Sequence, residues 1–190
     1  MNQWSGRYAL CLAGLTIVLT LMSIATGDTM GPRIVDQKEF SIIGIEARTN
    51  NVKEMTGDGV IPKQWEKFIK EGILQKISNK ADPTIFVVYT DYASNRNGDY
   101  TYVIGAKVSD VSTVPPGMVV EKVPKGRYAV LTSAKGQVQK IVPEAWRQIW
   151  SLEDKSQLGG PRAYKTDFEV YDQRSQNPQD SQVDLYIGIK

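Results

Sequence analysis

The sequence contains no histidine and only one cysteine among its 190 residues. The absence of histidine excludes Ser-His-Asp and Cys-His catalytic groups, imidazole metal ligands and a proximal histidine for haem. The single cysteine, Cys11, lies near the N-terminus, so the rest of the chain has no thiol and cannot form a disulfide. A body without cysteine is compatible with an oxidising compartment. We therefore predict no metal site and no cofactor.

The chain also lacks a large excess of one charge. Lys and Arg number 23 and Asp and Glu 21, which gives a net charge of +2 without a visible basic stripe or arm. Nucleic-acid-binding domains usually show such a basic footprint. The sequence therefore predicts no nucleic-acid partner. The apolar fraction of 41% is ordinary for a globular protein with a core.

A targeting segment is predicted at the N-terminus. Arg7 is followed by an apolar run from Tyr8 to Ala25, and Ala25 and Gly27 are small residues at the positions that a signal peptidase reads. We predict a signal peptide over residues 1–27 and an exported protein in the periplasm or cell envelope. The alternative is an uncleaved membrane anchor, because a helix of this length is about 27 Å long and can span a bilayer core.

The body of the chain repeats itself. IPKQWEKFI at 61–69 recurs as VPEAWRQIW at 142–150, FVVY at 86–89 recurs as FEVY at 168–171, and IGAK at 104–107 recurs as IGIK at 187–190. Two copies are too few for a solenoid. The sequence predicts a polar connector over residues 28–38 and one domain over residues 39–190, built from two repeats at 39–113 and 117–190.

Each repeat has the order strand, helix, strand, strand. Segments rich in β-branched and aromatic residues predict the strands, and two of them, 118–123 and 128–133, resemble a hairpin. Pro62 and Pro143 are predicted to open the two helices, because proline is tolerated in the first helical turn. We predict an α+β domain of two pseudo-symmetric strand-helix-strand-strand modules, with a mainly antiparallel sheet and two helices packed on it.

Glu169 is the residue at which the two repeats differ most, because the first repeat has Val87 in its place. Side chains alternate along a strand, so Glu169 and Tyr171 share one face. The repeat equivalent of Tyr171 is Tyr89. A carboxylate surrounded by aromatic rings complements an organic cation. The alternative is that strand 164–172 lies at an edge of the sheet, with Glu169 exposed to solvent.

The final strand offers two further candidates. If Phe168 and Leu185 face the same way, Asp184 and Tyr186 lie on the face of Glu169. Such an arrangement would place acidic and phenolic groups together in the second repeat.

Tryptophan residues also distinguish the second repeat. Trp65 and Trp146 occupy equivalent helix positions, where they either pack in the core or wall a cleft between the two helices. Trp150 replaces Ile69 in the second copy. Aromatic surface therefore gathers near the half that contains Glu169, and this asymmetry favours a pocket there.

Five motifs in order resemble the GyrI-like family, the effector-binding domain of multidrug-responsive bacterial transcription activators, which also occurs as free-standing proteins. They are IGIEART at 43–49, YTYVIG at 100–105, VPKGRY at 123–128, DFEVY at 167–171 and DLYIGIK at 184–190. The resemblance covers about Glu39 to Lys190 and implies two strand-helix-strand-strand modules with a cleft for hydrophobic, often cationic, aromatic molecules. Glu169 matches the family's buried glutamate, and Tyr186 and Asp184 match residues that support it.

The resemblance leaves more than one function open. The first is a free-standing, exported protein that binds a hydrophobic or cationic organic molecule through Glu169, Tyr186, Tyr171, Asp184, Trp146, Trp150, Tyr89 and Trp65. The second is a hydrolase of strained toxic molecules, as in some free-standing relatives, with Glu169 as general base and Tyr186 or Tyr171 as proton donor. The third is a structural protein whose cleft is filled by its own side chains. A targeting segment where relatives have a helix-turn-helix argues against direct gene regulation.

Overall fold

Eight strands and four helices account for most of residues 31–190, the part of the chain that the computed structural model describes. The predicted targeting segment, 1–27, lies outside this part. The strands are β1 (Arg33–Gln37), β2 (Phe40–Thr49), β3 (Lys80–Thr90), β4 (Tyr100–Val108), β5 (Val119–Val123), β6 (Gly126–Thr132), β7 (Arg162–Tyr171) and β8 (Asp184–Ile189). The helices are α1 (Asn51–Met55), α2 (Ile61–Lys70), α3 (Ile73–Lys76) and α4 (Val138–Asp154). Within residues 31–190, no helix is long and apolar enough to cross a membrane.

The strands form one antiparallel sheet in the order β1-β6-β8-β7-β3-β4-β2-β5, which confirms the predicted α+β class. β7 and β3 pair at its centre. Counted outward, the strands are β8, β6 and β1 on one side and β4, β2 and β5 on the other. The two halves are therefore related by a pseudo-twofold axis between β3 and β7, where Val87 lies opposite Glu169.

Both edge strands differ from the sequence prediction. Residues 33–37, predicted as part of a connector, form β1 and pair with β6. The predicted hairpin between β5 and β6 is wrong, because β5 pairs with β2 at the far side of the sheet. Only two residues separate β1 from β2 and β5 from β6, and such a link spans about 10 Å at most. The sheet must therefore curl until its two edges approach each other.

Curling encloses the face of the sheet that carries no helix. Phe40 on β2 contacts Phe168 on β7 with ring centroids 5.5 Å apart, although β4 and β3 lie between these strands. Tyr128 on β6 reaches Phe168 from the other side at 5.3 Å. The result is an apolar core on the concave face, separate from the core under the helices.

The helices pack on the opposite face. Buried Phe68 of α2, together with Ala145 and Ile149 of α4, belongs to the core on this side of the sheet. α4 begins at Val138, so the prediction that Pro143 opens it is wrong. Pro143 has no N–H to donate to the carbonyl of Gln139, four residues earlier. Gln139 is exposed, so water can hydrate that carbonyl. α1 and α3 were not predicted, because each is only about one turn long.

Candidate functional site

Glu169 lies at the centre of the sheet and is 1% exposed. Its Oε1 accepts hydrogen bonds from the Tyr89 hydroxyl at 2.9 Å and the Trp146 indole N–H at 2.6 Å. Its Oε2 accepts a hydrogen bond from the Tyr171 hydroxyl at 2.7 Å. All three donors are neutral. The carboxylate is therefore solvated by aromatic side chains, and among residues 31–190 it has no cationic partner.

This environment perturbs the acid and its donors. Burial raises the pKa of Glu169, and the hydrogen bonds from Tyr171, Trp146 and Tyr89 counteract only part of that effect. Burial and the nearby carboxylate raise the pKa of Tyr89 and Tyr171 far above the usual phenol value. Both tyrosines therefore stay protonated and act as hydrogen-bond donors.

The internal repeat explains the geometry of this cluster. Tyr89 and Tyr171 are repeat-equivalent, and the pseudo-twofold axis directs their hydroxyls to the two oxygens of one carboxylate. Trp146 stacks edge-on against Tyr89, and its equivalent Trp65 does so against Tyr171, each with centroids 5.0 Å apart. The aromatic frame is thus nearly symmetric, and Glu169 in place of Val87 breaks the symmetry.

A cavity of about 460 Å³ lies over this cluster, between α1, the start of α2 and α4. Tyr89 and Trp146 line it, so they separate the cavity from Glu169, which does not line it. Trp150 extends its aromatic wall, with a centroid 6.4 Å from that of Trp146. The side chains of the described residues therefore leave the space between the helices open.

The arginines that line the cavity are each neutralised. Arg96 pairs with Asp154 at 2.8 Å, and Arg147 pairs with Glu144 on α4. Arg162 pairs with the buried Asp167. Because these cations are compensated, none of the arginines that line the cavity neutralises the carboxyl group of Glu169.

Asp167 and Arg162 form a buried ion pair in the wall of the site. Asp167 is fully buried and also accepts hydrogen bonds from the Tyr92 hydroxyl at 2.7 Å and the Gly188 N–H at 2.8 Å. Burial disfavours the charged form of Arg162, but the combined effect of Asp167, Tyr92, Tyr164 and Glu153 is larger, and the pKa of the guanidinium is raised. The guanidinium also lies 4.3 Å from the ring centroid of Tyr164. The pair holds Tyr92, which lines the cavity.

Glu54 fixes the rim of the cavity. Its carboxylate accepts hydrogen bonds from the Thr49 hydroxyl at 2.5 Å and from the N–H groups of Val60 and Ile61 at 2.9 and 3.2 Å. These N–H groups lie at the start of α2, where a helix favours negative charge. α1 is thereby attached to the N-terminus of α2.

Two of the eight predicted site residues lie on the wrong face. Glu169 pairs with Leu185, whereas Tyr186 pairs with Phe168 and stacks on its ring at 4.4 Å in the concave core. Asp184 shares that face and binds the Thr132 hydroxyl and Arg174, each at 2.7 Å. The expectation that both residues support Glu169 is therefore wrong, because the register of β7 and β8 opposes the assumed one. The other six predicted residues lie together around the cluster.

The alternative of a solvated edge strand is also wrong. β7 lies between β8 and β3, and both Asp167 and Glu169 are buried. Sequence reasoning missed Arg162, Asp167, Tyr92 and Glu54. Strand alternation could have found Asp167, which precedes Glu169 by two residues and shares its face.

An antiparallel α+β domain of two related halves, with an aromatic cavity over one buried carboxylate, has the features of a small-molecule effector-binding domain. Residues 33–189 match the family described as Cass2, integron-associated effector binding protein. This match spans most of the chain, and the chain therefore belongs to the Cass2 family of effector-binding domains.

Two relatives in sequence have descriptions as transcriptional regulators. The chain is 35% identical over 158 residues to YobU of Bacillus subtilis, whose description as a regulator is provisional; the alignment covers 82% of this chain and 94% of YobU. It is 40% identical over 162 residues to the transcriptional regulator BrlR of Pseudomonas aeruginosa, covering 84% of this chain and 56% of BrlR.

Solved structures show the same fold. An integron cassette protein of Vibrio cholerae has a TM-score of 0.67 and 25% identity, over 85% of this chain and 97% of that protein. SAV2435, solved with bound tetraphenylphosphonium, has a TM-score of 0.70 and 15% identity, over 85% of this chain and 94% of that protein. The comparisons give no support to the hydrolase hypothesis.

Proposed function

We propose that this effector-binding domain binds a hydrophobic aromatic cation in the cavity between α1, α2 and α4, with Glu169 as the counter-charge. The observation that carries the proposal is a buried carboxylate that has three neutral donors and no cationic partner among residues 31–190. Burying an ion without an opposite charge is costly. A cationic ligand would supply that charge and recover part of the cost.

The dimensions and lining of the cavity suit such a ligand. Its volume of about 460 Å³ lies within the range of roughly 300–1,000 Å³ that is usual for small-molecule sites. The fold is shared with SAV2435, whose ligand is tetraphenylphosphonium. This compound is therefore a suitable probe, because it combines a delocalised positive charge with four apolar rings.

Tyr89 and Trp146 would transmit the charge of Glu169 to the ligand. Both rings lie between the cavity and the carboxylate, and both donate a hydrogen bond to it. A donor bonded to an anion gains electron density, because hydrogen bonds in a low-dielectric interior polarise one another. The ring faces thereby become better partners for a cation.

Titration with tetraphenylphosphonium tests the proposal directly. Because Trp146 and Trp150 line the cavity, we expect a saturable change in tryptophan fluorescence as the ligand binds. The Trp146→Phe variant keeps an aromatic ring but loses the indole N–H that donates to Glu169. It should therefore bind tetraphenylphosphonium more weakly than wild type does. A linear, non-saturating signal up to the solubility limit of the ligand would refute the proposed function.

Cation affinity should depend on pH through Glu169. The pKa of this carboxyl is raised, and a cation prefers the ionised form. Affinity should therefore be highest above the raised pKa and fall as pH decreases through it, by up to about tenfold per pH unit. The contribution of Glu169 to folding stability has the opposite trend: it is largest below the pKa of the unfolded chain and is lost as pH rises through the folded pKa.

Isothermal titration calorimetry with tetraphenylphosphonium between about pH 8 and about pH 5, a window that lies above the ordinary glutamate pKa of about 4.3, measures this dependence. The Glu169→Gln variant should show a flat profile. A flat profile in the wild-type protein would show instead that Glu169 does not act as the counter-charge.

We further propose that the protein is exported, as the apolar run from Tyr8 to Ala25 predicts. Expression in a Gram-negative bacterium should place it in the periplasmic fraction, with a mature chain that begins at Asp28. Replacing Leu15 and Val18 by arginine should retain it in the cytoplasm, because charge interrupts the apolar segment. Full-length protein in the cytoplasm of wild-type cultures would contradict export.

A further inference from the structure

A second cavity, of about 340 Å³, lies at the other end of the β6-β8-β7 part of the sheet. It is bounded by the turn between β5 and β6, the first half of β7 and the end of β8. It shares no lining residue with the cavity over Glu169. The second cavity is therefore a separate feature, and a ligand bound there would be independent of the proposed function.

All charged side chains that line the second cavity are positive. Lys125, Arg127, Lys165 and Lys190 surround it, and its lining includes no Asp or Glu. Within residues 31–190, none of the four forms an ion pair. Asp36 on β1 lies opposite Arg127 in the strand register but does not form an ion pair with it. This differs from the first cavity, where each lining arginine has a carboxylate partner, and it leaves an uncompensated positive field.

Neutral groups complete the lining. Thr166 is only 5% exposed and contributes to the cavity wall. A threonine hydroxyl at a cavity wall can donate a hydrogen bond to a ligand. Gly126 and Gly188 also line the cavity and leave the main chain accessible.

An irregularity in β7 shapes this wall. The pairing of β7 with β8 jumps from Arg162 to Asp167, and Tyr164 has a φ of 49°, in the left-handed region. The main chain between these two positions has no ladder partner on β8. Bulges of this kind redirect side chains and often lie beside binding sites. Here the bulge places Lys165 and Thr166 on the same cavity.

We propose that the second cavity binds a phosphate group, carried either by a small soluble molecule or by a lipid headgroup. Four cations that form no ion pair with another described residue suit a ligand with more than one negative charge. Arginine and lysine are the usual phosphate-binding side chains, and a hydroxyl can donate to a phosphate oxygen. The volume is sufficient for a small phosphorylated molecule and lies at the lower end of the usual range for ligand sites.

Calorimetric titration of the full-length protein with inorganic pyrophosphate tests the site. The Lys125→Gln/Arg127→Gln/Lys165→Gln variant should bind at least about tenfold more weakly, because each lost charge-assisted hydrogen bond contributes to affinity. The matched control, Lys63→Gln/Lys140→Gln/Lys155→Gln, makes the same change of net charge at exposed positions outside both cavities. It should bind within about twofold of wild type, because distant surface charges are screened. Equal weakening in both variants would overturn the site.

Two further measurements complete the test. Thr166→Val keeps the shape of the side chain and removes its hydroxyl, and it should weaken pyrophosphate binding without lowering the melting temperature. Vesicles of phosphatidylcholine with phosphatidic acid distinguish the two sources. If the ligand is a lipid headgroup, wild type should bind these vesicles better than the triple cavity variant does. The N-terminal segment is common to both proteins, so it does not account for a difference between them. If neither pyrophosphate nor these vesicles distinguish wild type from the cavity variant, the proposal is wrong.

Discussion

Replacement of Asp167 by alanine is expected to lower the free energy of unfolding by about 3–5 kcal/mol. The change leaves the guanidinium of Arg162, whose side chain is 1% exposed, with only the more exposed carboxylate of Glu153, 3.4 Å away, as a counter-charge. It also removes the acceptor of the Tyr92 hydroxyl and of the Gly188 N–H. Urea denaturation followed by circular dichroism measures the loss.

The matched control is Asp154→Ala. Asp154 also pairs with an arginine, Arg96, but its side chain is 60% exposed. Exposed ion pairs contribute about 1 kcal/mol or less, so this variant should remain close to wild type. Equal losses in the two variants would show that the Arg162–Asp167 pair is not a buried structural element.

Replacement of Glu169 by glutamine is expected to weaken tetraphenylphosphonium binding by about 10- to 100-fold, which corresponds to roughly 1.5–3 kcal/mol for a lost charged interaction. The fold should tolerate this change. The amide oxygen can accept from Tyr89 and Trp146, and the amide N–H can donate to the Tyr171 hydroxyl. Because the desolvation of a charge is also removed, the melting temperature at neutral pH should equal or exceed that of wild type.

Asp184→Asn provides the comparison for binding. The sequence predicts Asp184 beside Glu169, but the structure places it on the other face of the sheet. The affinity of this variant for tetraphenylphosphonium should therefore stay within about twofold of wild type, since the charge lies outside the site and is partly screened. A Glu169→Gln protein that keeps wild-type affinity, or an Asp184→Asn protein that loses as much, would refute the role of Glu169.

The two central strands, although not their pairing with each other, could be predicted from the repeat. Tyr89 and Tyr171 are the same in the two copies while Val87 is replaced by Glu169, and this single difference identifies the chemical centre. The aromatic frame follows from the same repeat, because equivalent side chains are related by the pseudo-twofold axis.

The register of β7 and β8 could not be predicted in this way. Alternation tells which residues of one strand share a face, but not which face of the next strand matches it. The bulge between Arg162 and Asp167 adds a second difficulty. Counting by twos from Glu169 assigns Arg162 to the opposite face, whereas the bulge shifts the alternation and brings it beside Asp167.

The edge strand β1 and the partner of the edge strand β5 could not be predicted, for a different reason. β1 has the sequence RIVDQ, with two apolar residues only, and it is stabilised by pairing with β6 from the other repeat. Nothing within such a short segment indicates a partner so distant along the chain. The curl of the sheet depends on these exchanged strands, so the enclosed concave core could not be anticipated either.

A comparison of tetraphenylphosphonium with tetraphenylborate tests the central claim most directly, because the two ions have nearly the same shape and opposite charges. If the uncompensated carboxylate of Glu169 governs recognition, calorimetry should show clear binding of the phosphonium and much weaker binding of the borate. The preference should shrink in the Glu169→Gln protein. Equal affinity of the wild-type protein for both ions, or tighter binding of the borate, would contradict the account.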